Sequence, residues 1–471
     1  MFGVCFLLLS QDFRVNDDTG TDPAETQNAP HVAVAKDSSW LVYFGDYRNF
    51  TTYVEVFGKR YNPSGAANGN QFVLSVSLGS DIDCWPKDGV AGADTSFMVM
   101  WLDDPAELTG RFVYPSDTSP AFYIQDTGTS NAYVRGGRES VAGDRWGDAP
   151  WVVSLVFEDD PRAPHQDQVW FKRYARSGAL VDSGRVDTTG AVQGSYAACA
   201  TDSAGSRFAV FWKNGNNLFA GLFDGNNNPP TRLATLWVNS DTPNFYAGGA
   251  QAAMDANGDL FVVWVDSRSG VQSVYLRAYD RNGGDLFGPM RVSDGTQKTS
   301  RSSIDADRQG NLTVVWAESL TVFNAWHIMA VDFRNCEGTY VWGPVYRVDE
   351  APDNVNCTNP DVALRDRDSS LFFVWQDGRN LSSQGWDIYG KIAKNTADCG
   401  LGLREEVLPD FPGVKGPVPR GFTLEIYDAL GRLRSLETRR YDLRALGLGV
   451  YFLVIRSRNG KARLWARQAI F

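Results

Sequence analysis

The chain has 471 residues, 43% of them hydrophobic and 21% charged, so it can bury a large core and is neither disordered nor collagen-like. Its 45 Lys and Arg against 56 Asp and Glu leave a net charge of -11, the wrong sign for gripping nucleic acid or an anionic membrane surface. With only His31, His165 and His327, and no two of them at ligand spacing, the sequence points to no metal site and no cofactor.

At the N-terminus, Val4–Leu9 is a short apolar run that turns polar at once. Residues 1–10 read as the remnant of a signal peptide, with a frayed terminus as the other reading. No other stretch approaches the roughly 18 apolar residues that a spanning helix needs, so no transmembrane segment is expected.

Next come the repeats. Met254–Arg268, Ile304–Ser319 and Val362–Arg379 share one layout: an acidic turn, an apolar run, an aromatic, and an acid two residues later. The aromatic recurs as Phe44, Trp101, Phe157, Trp212, Trp264, Trp316 and Trp375, at steps of 52 to 59 residues. A unit of that length holds about four short strands with their turns, which is one propeller blade. The fold class expected is therefore all-β: a seven-bladed β-propeller over residues 11–409, followed by a small β-sandwich-like domain. Two stacked sandwiches would predict no uniform period.

Within each unit, strand A precedes the acidic turn and strand B runs into the aromatic. Strand C alternates, as in Val54–Tyr61, Gln168–Tyr174 and Ser273–Tyr279; strand D is short and ends in polar residues, as in Met290–Gly295 and Tyr346–Glu350. Phe13–Asp18 has the ending of a strand D and precedes the first strand A, so it can complete the seventh blade and close the ring. Leu403–Leu408 competes for the same edge. None of the six cysteines forms a C-x-x-C pair; Cys336 and Cys399 fall in corresponding loops of consecutive repeats, and the sequence leaves their pairing open.

Residues 410–420 form a proline-rich linker, and beyond it the charge reverses. From 411 to 471 there are 12 Lys and Arg against 4 Asp and Glu, while the rest of the chain holds 33 against 52, which argues for a separate domain at 421–471. Its strands are expected at Thr423–Asp428, Leu433–Thr438, Gly449–Ser457 and Ala462–Ile470. The segments Leu424–Arg432, with Tyr427, Gly431 and Arg432, then Tyr441–Ser457, with Gly449 and Tyr451, and the basic closing strand after Lys461 resemble the type A C-terminal sorting domain of type IX secretion cargo. The resemblance covers about 50 residues and implies export through the outer membrane, with the type IX machinery as a partner. The usual early Asn-Pro segment and first strand of that family are absent here.

Two residues beyond the marker aromatics stand Asp46, Asp103, Asp159, Asn214, Asp266, Glu318 and Asp377. Since strand B ends there, these groups belong at equivalent corners on one face of the ring. Arg48, Arg268 and Arg379 follow two residues later, and Arg162 stands near the same place. An Asp-x-Arg pair ties down its own loop by charge-assisted hydrogen bonds; alternatively, the set forms a polar mouth that holds a sugar or a cation. No member is assigned a catalytic role, and an Asp-to-Ala change is expected to cost about 1 kcal/mol.

The turn after Asp255 has acids at alternate positions but lacks the glycine and bidentate glutamate of a calcium loop, so it reads as a hairpin turn. The repeats are loosely similar to sialidase-like propellers. The nearest approach to their Asp-box, Ser303–Asn311, has its glycine at 310 rather than 307. Paired carboxylates of another glycosidase are not singled out among 56 acids, and there is no G-x-S-x-G elbow and no P-loop. The function expected is that of a monomeric, secreted or outer-membrane-surface propeller that binds an extracellular glycan or protein. The alternative is a glycan-active hydrolase of the sialidase-like kind.

Overall fold

The computed structural model describes residues 11–397 except 18–25, 49–53, 76–83, 92–95, 104–106, 125–132, 135–139, 144–149, 159–166, 176, 188–196, 203, 241–245, 295–296 and 321–324, together with 399 and the strands of the C-terminal segment. The protein is an all-β, seven-bladed propeller. Its blades lie at 27–73, 84–123, 133–185, 197–237, 246–291, 299–347 and 357–394. Each is an antiparallel sheet whose strands pair in the order A to D, which in the first six blades is also chain order. Strand A of blade 3 is in two pieces, and blade 6 carries two short outer strands, Thr339–Trp342 and Tyr346–Arg347.

The strand B segments read as continuous apolar runs because both faces are covered. Trp40–Asp46, Leu260–Asp266 and Ser370–Asp377 are buried at every position. Six of the seven marker aromatics, Phe44, Trp101, Trp212, Trp264, Trp316 and Trp375, are at most 3% exposed; the Phe157 side chain lies outside the described residues. The core is a set of clusters, each built from two neighbouring blades, as where Trp40, Phe44, Phe57 and Tyr61 of blade 1 meet Ala363, Phe372 and Val374 of blade 7. Burying one such large ring contributes on the order of 2–3 kcal/mol.

The seventh blade takes its outer strand from the other end of the chain. Phe13–Arg14 pairs antiparallel with Asp387–Lys394, Phe13 opposite Gly390 and Arg14 opposite Tyr389. A Cβ on Gly390 would lie 3.2 Å from Val15 and 3.3 Å from Phe13, so glycine lets the closing strand approach. The competing segment Leu403–Leu408 lies outside the described residues. Ahead of the strand, the Asp12 carboxylate is buried between Arg379, at 2.9 Å, and Lys391, at 3.5 Å, and it accepts the Glu350 amide N–H.

A second repeating device secures the outer strands. An apolar residue just past each strand D donates its N–H to a strand-C carbonyl at 2.7–2.9 Å: Val15, Leu74, Ile124, Val186, Val238, Val292 and Val348. In six blades the next residue returns a side-chain oxygen to the N–H of that same strand-C residue, from Asn16, Ser75, Asp187, Asn239, Ser293 and Asp349. Across six blade boundaries the following blade then caps the apolar residue's carbonyl, through Lys59, Arg111, Tyr174, Arg277 and Lys391 at 2.8–2.9 Å and through Arg232. Buried backbone groups at a sheet edge must find partners, and here those partners also bolt one blade to the next.

The chain divides into two compact units, one of Met1–Asp332 with Pro344–Thr396 and the other of Phe333–Gly343 with Ala397–Phe471. Within the second unit Cys336 and Cys399, whose pairing the sequence left open, form a disulfide. Its C-terminal strands Leu433–Glu437, Phe422–Asp428, Tyr451–Ser457 and Ala462–Ala466 make an antiparallel sheet in that order, and Lys415–Pro417 pairs with Arg440–Asp442. Tyr427 and Tyr451 lie on strands; Gly431, Arg432 and Gly449, and every side chain of this segment, lie outside the described residues.

Candidate functional site

Alternation along strand B puts the marker aromatic and the residue two beyond it on the same side of the sheet. In blade 5 this lets Asp266 Oδ2 accept the Trp264 indole N–H at 3.1 Å and Arg268 Nη2 at 2.6 Å, while Oδ1 accepts the Arg268 amide N–H at 2.7 Å. Blade 7 repeats the clamp: Asp377 Oδ2 accepts from Trp375 at 2.9 Å and Arg379 Nη2 at 2.7 Å, and Oδ1 accepts the Arg379 amide and Nε, both at 2.9 Å. In blade 1 the marker is Phe44, which has no indole N–H, and Asp46 accepts from Arg48 at the amide (2.8 Å), at Nε (2.9 Å) and at Nη2. Each guanidinium also lies over the strand-C ring directly opposite the marker: Arg48 over Phe57 at 4.7 Å, Arg268 over Tyr275 at 4.3 Å and Arg379 over Tyr389 at 3.9 Å.

The carboxylates of Asp46, Asp266 and Asp377 are thus buried, while Arg48, Arg268 and Arg379 keep 20%, 11% and 22% of their side chains open. The surface of these corners is guanidinium and ring edge rather than free acid. Burial acts to lower the pKa of Arg379, but its bonds to Asp377 and Asp12 outweigh that and hold it above the ordinary value.

Two corners depart from the clamp. Glu318 accepts the Trp316 indole N–H at 2.9 Å, and Leu320 stands where the arginine would be. Burial raises the Glu318 pKa, and the nearby Asp294 charge adds to the rise. In blade 4 the residue is Asn214, followed by a two-residue turn that closes the Asn214–Asn217 pair. The side chain of Asp103, and all of Asp159 and Arg162, lie outside the described residues.

The start of strand B is built differently. Asp255 Oδ1 accepts the amides of Asn257 and Asp259, both at 2.9 Å, which closes the hairpin turn between strands A and B. Asp307 does the same for Gln309 and Asn311. Burial pushes both carboxyls up to about 6.

At the boundary of blades 6 and 7, His327, Asp349 and Cys357 bring potential ligand atoms within 4.8 Å of one another. Each atom has a protein partner: His327 Nδ1 meets Asp349 at 2.9 Å and Nε2 the Asp353 carbonyl at 3.2 Å, Asp349 also binds Arg347, and Cys357 donates to Asp377 at 3.3 Å. Burial, with the Asp349 and Asp377 charges, raises the Cys357 thiol far above its usual range, so this is an interior hydrogen-bonded network. Sequence reasoning passed over Asp12, which no motif marks; the polar ending of strand D was visible in the Arg-Val-polar triplets at Arg14, Arg291 and Arg347 but was given no role.

No protein-family model matches the chain, and no curated protein does. Among solved structures it is similar to the NanB sialidase of Streptococcus pneumoniae, with a TM-score of 0.47 and 8% identity over 82% of this chain and 70% of that one. It is also similar to an ulvan lyase, a polysaccharide lyase, with a TM-score of 0.47 and 12% identity over 77% and 93% of the two chains. A third likeness is to a mutant of the Aleuria aurantia lectin bound to Fucα1-6GlcNAc, with a TM-score of 0.40 and 12% identity over 69% and 97%. These likenesses are of fold alone. No helix among the described residues is long and apolar enough to cross a membrane.

Proposed function

We propose that the chain is a secreted or cell-surface propeller that binds an extracellular ligand, a glycan or a protein, and that the domain at 421–471 directs its export through the type IX machinery. The observation that supports a binding role is the state of the corner acids. Asp46, Asp266 and Asp377 are committed to their own arginines, so they serve as struts under a rigid rim rather than as proton-transfer groups. The basic composition of 411–471 beside an acidic remainder, and the order of its motifs, support the export role.

One observation favours the second reading, a glycan-active hydrolase. Glu318 has a raised pKa, stands near Asp294 and has no arginine two residues on, which is the environment a general acid needs. A glycan array together with a hydrolysis screen on sialosides and aryl glycosides, run on the full chain, separates the two. Binding without turnover is expected. Turnover that Glu318→Gln abolishes without lowering the melting temperature would make the hydrolase reading the correct one. Deleting residues 421–471 is expected to leave the melting temperature of the propeller within about 2 °C and to stop surface display in a host with type IX secretion; normal display of the truncated chain would refute the export role.

A further inference from the structure

Blade 4 is the exception to the corner design, and its exception is surface-exposed. Trp212, Phe219 and Trp237 are directly paired across strands B, C and D, with successive ring centroids 5.7 Å apart and planes within 19° and 23° of parallel. The inner ring is buried, whereas Trp237 is 40% exposed. In blade 5 the strand-C ring of this row, Tyr275, is covered by Arg268, and the strand-D position opposite it is Arg291. Blade 4 has Asn216 where that first arginine would be, and an indole from strand D covers the ring instead.

Period-two alternation places Asn214, Asn217 and Asn239 in the next cross-strand row, on the same side of the sheet as the three rings. Asn239 ties the rows together: its Oδ1 accepts the Trp237 indole N–H at 3.1 Å and the Leu218 amide at 2.9 Å, and its Nδ2 donates to the Asn216 carbonyl at 3.2 Å. The indole plane is therefore fixed before any ligand arrives. Asn216 is exposed and Asn214 half-buried, and their side chains have no hydrogen-bond partner among the described residues.

We infer that Trp237, with the amides of Asn214 and Asn216 beside it, is a stacking subsite for a neutral pyranose of a glycan. The inference rests on the binding function proposed above and names the place and ligand class. A rigid, half-open aromatic face removes the apolar C–H face of a sugar ring from water, and neighbouring amides both donate to and accept from its hydroxyls. Neither row contains a charged side chain, and the chain's net charge of -11 disfavours acidic sugars, so selection is for neutral ones.

The test titrates the full chain with methyl β-galactoside, methyl β-glucoside and neutral oligosaccharides that contain them, following tryptophan fluorescence, with a sialoside as the acidic control. Saturable binding of a neutral sugar is expected, weakened at least tenfold by Trp237→Ala and by less in Trp237→Phe, which keeps a ring on Phe219. Because Trp237 lies on an outer strand, both variants should melt near the parent temperature; Asn216→Ala, in an exposed turn, weakens binding without touching the ladder. Neutral-sugar binding that is unchanged in all three variants would overturn this subsite and leave the binding function standing. Binding confined to the sialoside or to a protein would do the same, whereas an array on which the chain binds nothing would overturn both.

Discussion

Strand B of blade 5 begins beside Asp255 and ends at Asp266, and the two aspartates live under opposite electrostatics. Asp266 is fully buried but faces a guanidinium, an indole N–H and an amide. Asp255 is equally buried, has amides alone, and its carboxyl is pushed up to about 6 by burial. Blade 7 repeats the first arrangement at Asp377, and blade 6 repeats the second at Asp307. Burial alone does not decide what a carboxylate does for the fold; the sign of its partner does.

The largest effect expected from breaking this contrast is at Asp377. Its removal by Asp377→Ala leaves the buried Trp375 indole N–H without an acceptor and takes from Arg379 one of its two carboxylates, Asp12 being the other, and losing one partner of a buried pair costs about 3 kcal/mol. The sequence alone suggested about 1 kcal/mol, a value suited to a partly exposed acid; the observed burial raises it. Asp46→Ala should cost less, about 2 kcal/mol, because Phe44 offers no indole donor and the marker loses nothing. Chemical denaturation of both variants checks the order, and equal losses would remove the indole from the account.

Next in size is the turn. Asp255→Asn keeps the Oδ1 acceptor that serves both amides and removes the charge. The parent carboxyl titrates near 6 when folded, above its unfolded value, so the folded state holds the extra proton between about pH 4 and 6. The stabilising contribution of that proton is complete below about pH 4 and is lost as pH rises through 6. Asp255→Asn should therefore match the parent near pH 4 and exceed it at pH 7, by at most about 3 kcal/mol for a shift of this size. Melting curves at pH 4 and 7 decide it. A gap that widens toward acid would reverse the sign.

How much of this was legible follows from the period of each signal. The blade count, the marker aromatics and the corner positions could be read because an aromatic recurs in every unit, with an acid two residues on in six of the seven and an arginine two further on in three. Ring closure was legible in outline, since Phe13–Asp18 ends like a strand D, but the choice against Leu403–Leu408 needed the pairing of Phe13 with Gly390. The burial of Asp12 between Arg379 and Lys391 was not legible, because those partners come from the far end of the chain. Blade 4 was seen only as a missing acid at Asn214. That Trp237 takes over the covering role depends on cross-strand register, which alternation alone does not supply.

A smaller effect separates Glu318 from its clamped counterparts. Glu318→Gln keeps an oxygen for the Trp316 indole while removing a charge that burial and Asp294 disfavour. Stability at pH 7 should rise slightly, by about 1 kcal/mol or less, and the gain should fade as the pH drops below the folded pKa. Asp266→Asn should go the other way, since it leaves Arg268 without its anion. A loss in both variants would mean that Glu318 has a cationic partner of equal value.

The smallest change sharpens the comparison at the point where the acid is absent. Asn214→Asp restores the ring's majority residue to blade 4, and repetition alone would predict a gain. The geometry predicts a loss. In blade 5, Asp266 and Ser273 bracket a loop in which Arg268 folds back over Tyr275, whereas Asn214 and Asn217 are directly paired and leave a two-residue turn with Gly215 at a φ of 59°. Such a turn gives a side chain at Asn216 no path back to the acid, and Trp237 already covers Phe219. The new carboxylate would be half-buried without a cation, costing about 0.5–1 kcal/mol at pH 7 and nothing once protonated near pH 3. Adding Asn216→Arg should not recover the loss, because the clamp needs the longer loop as well as the charge. Recovery in the double variant would show that the arginine alone defines the corner, and that Trp237 is an interchangeable cover rather than a distinct surface.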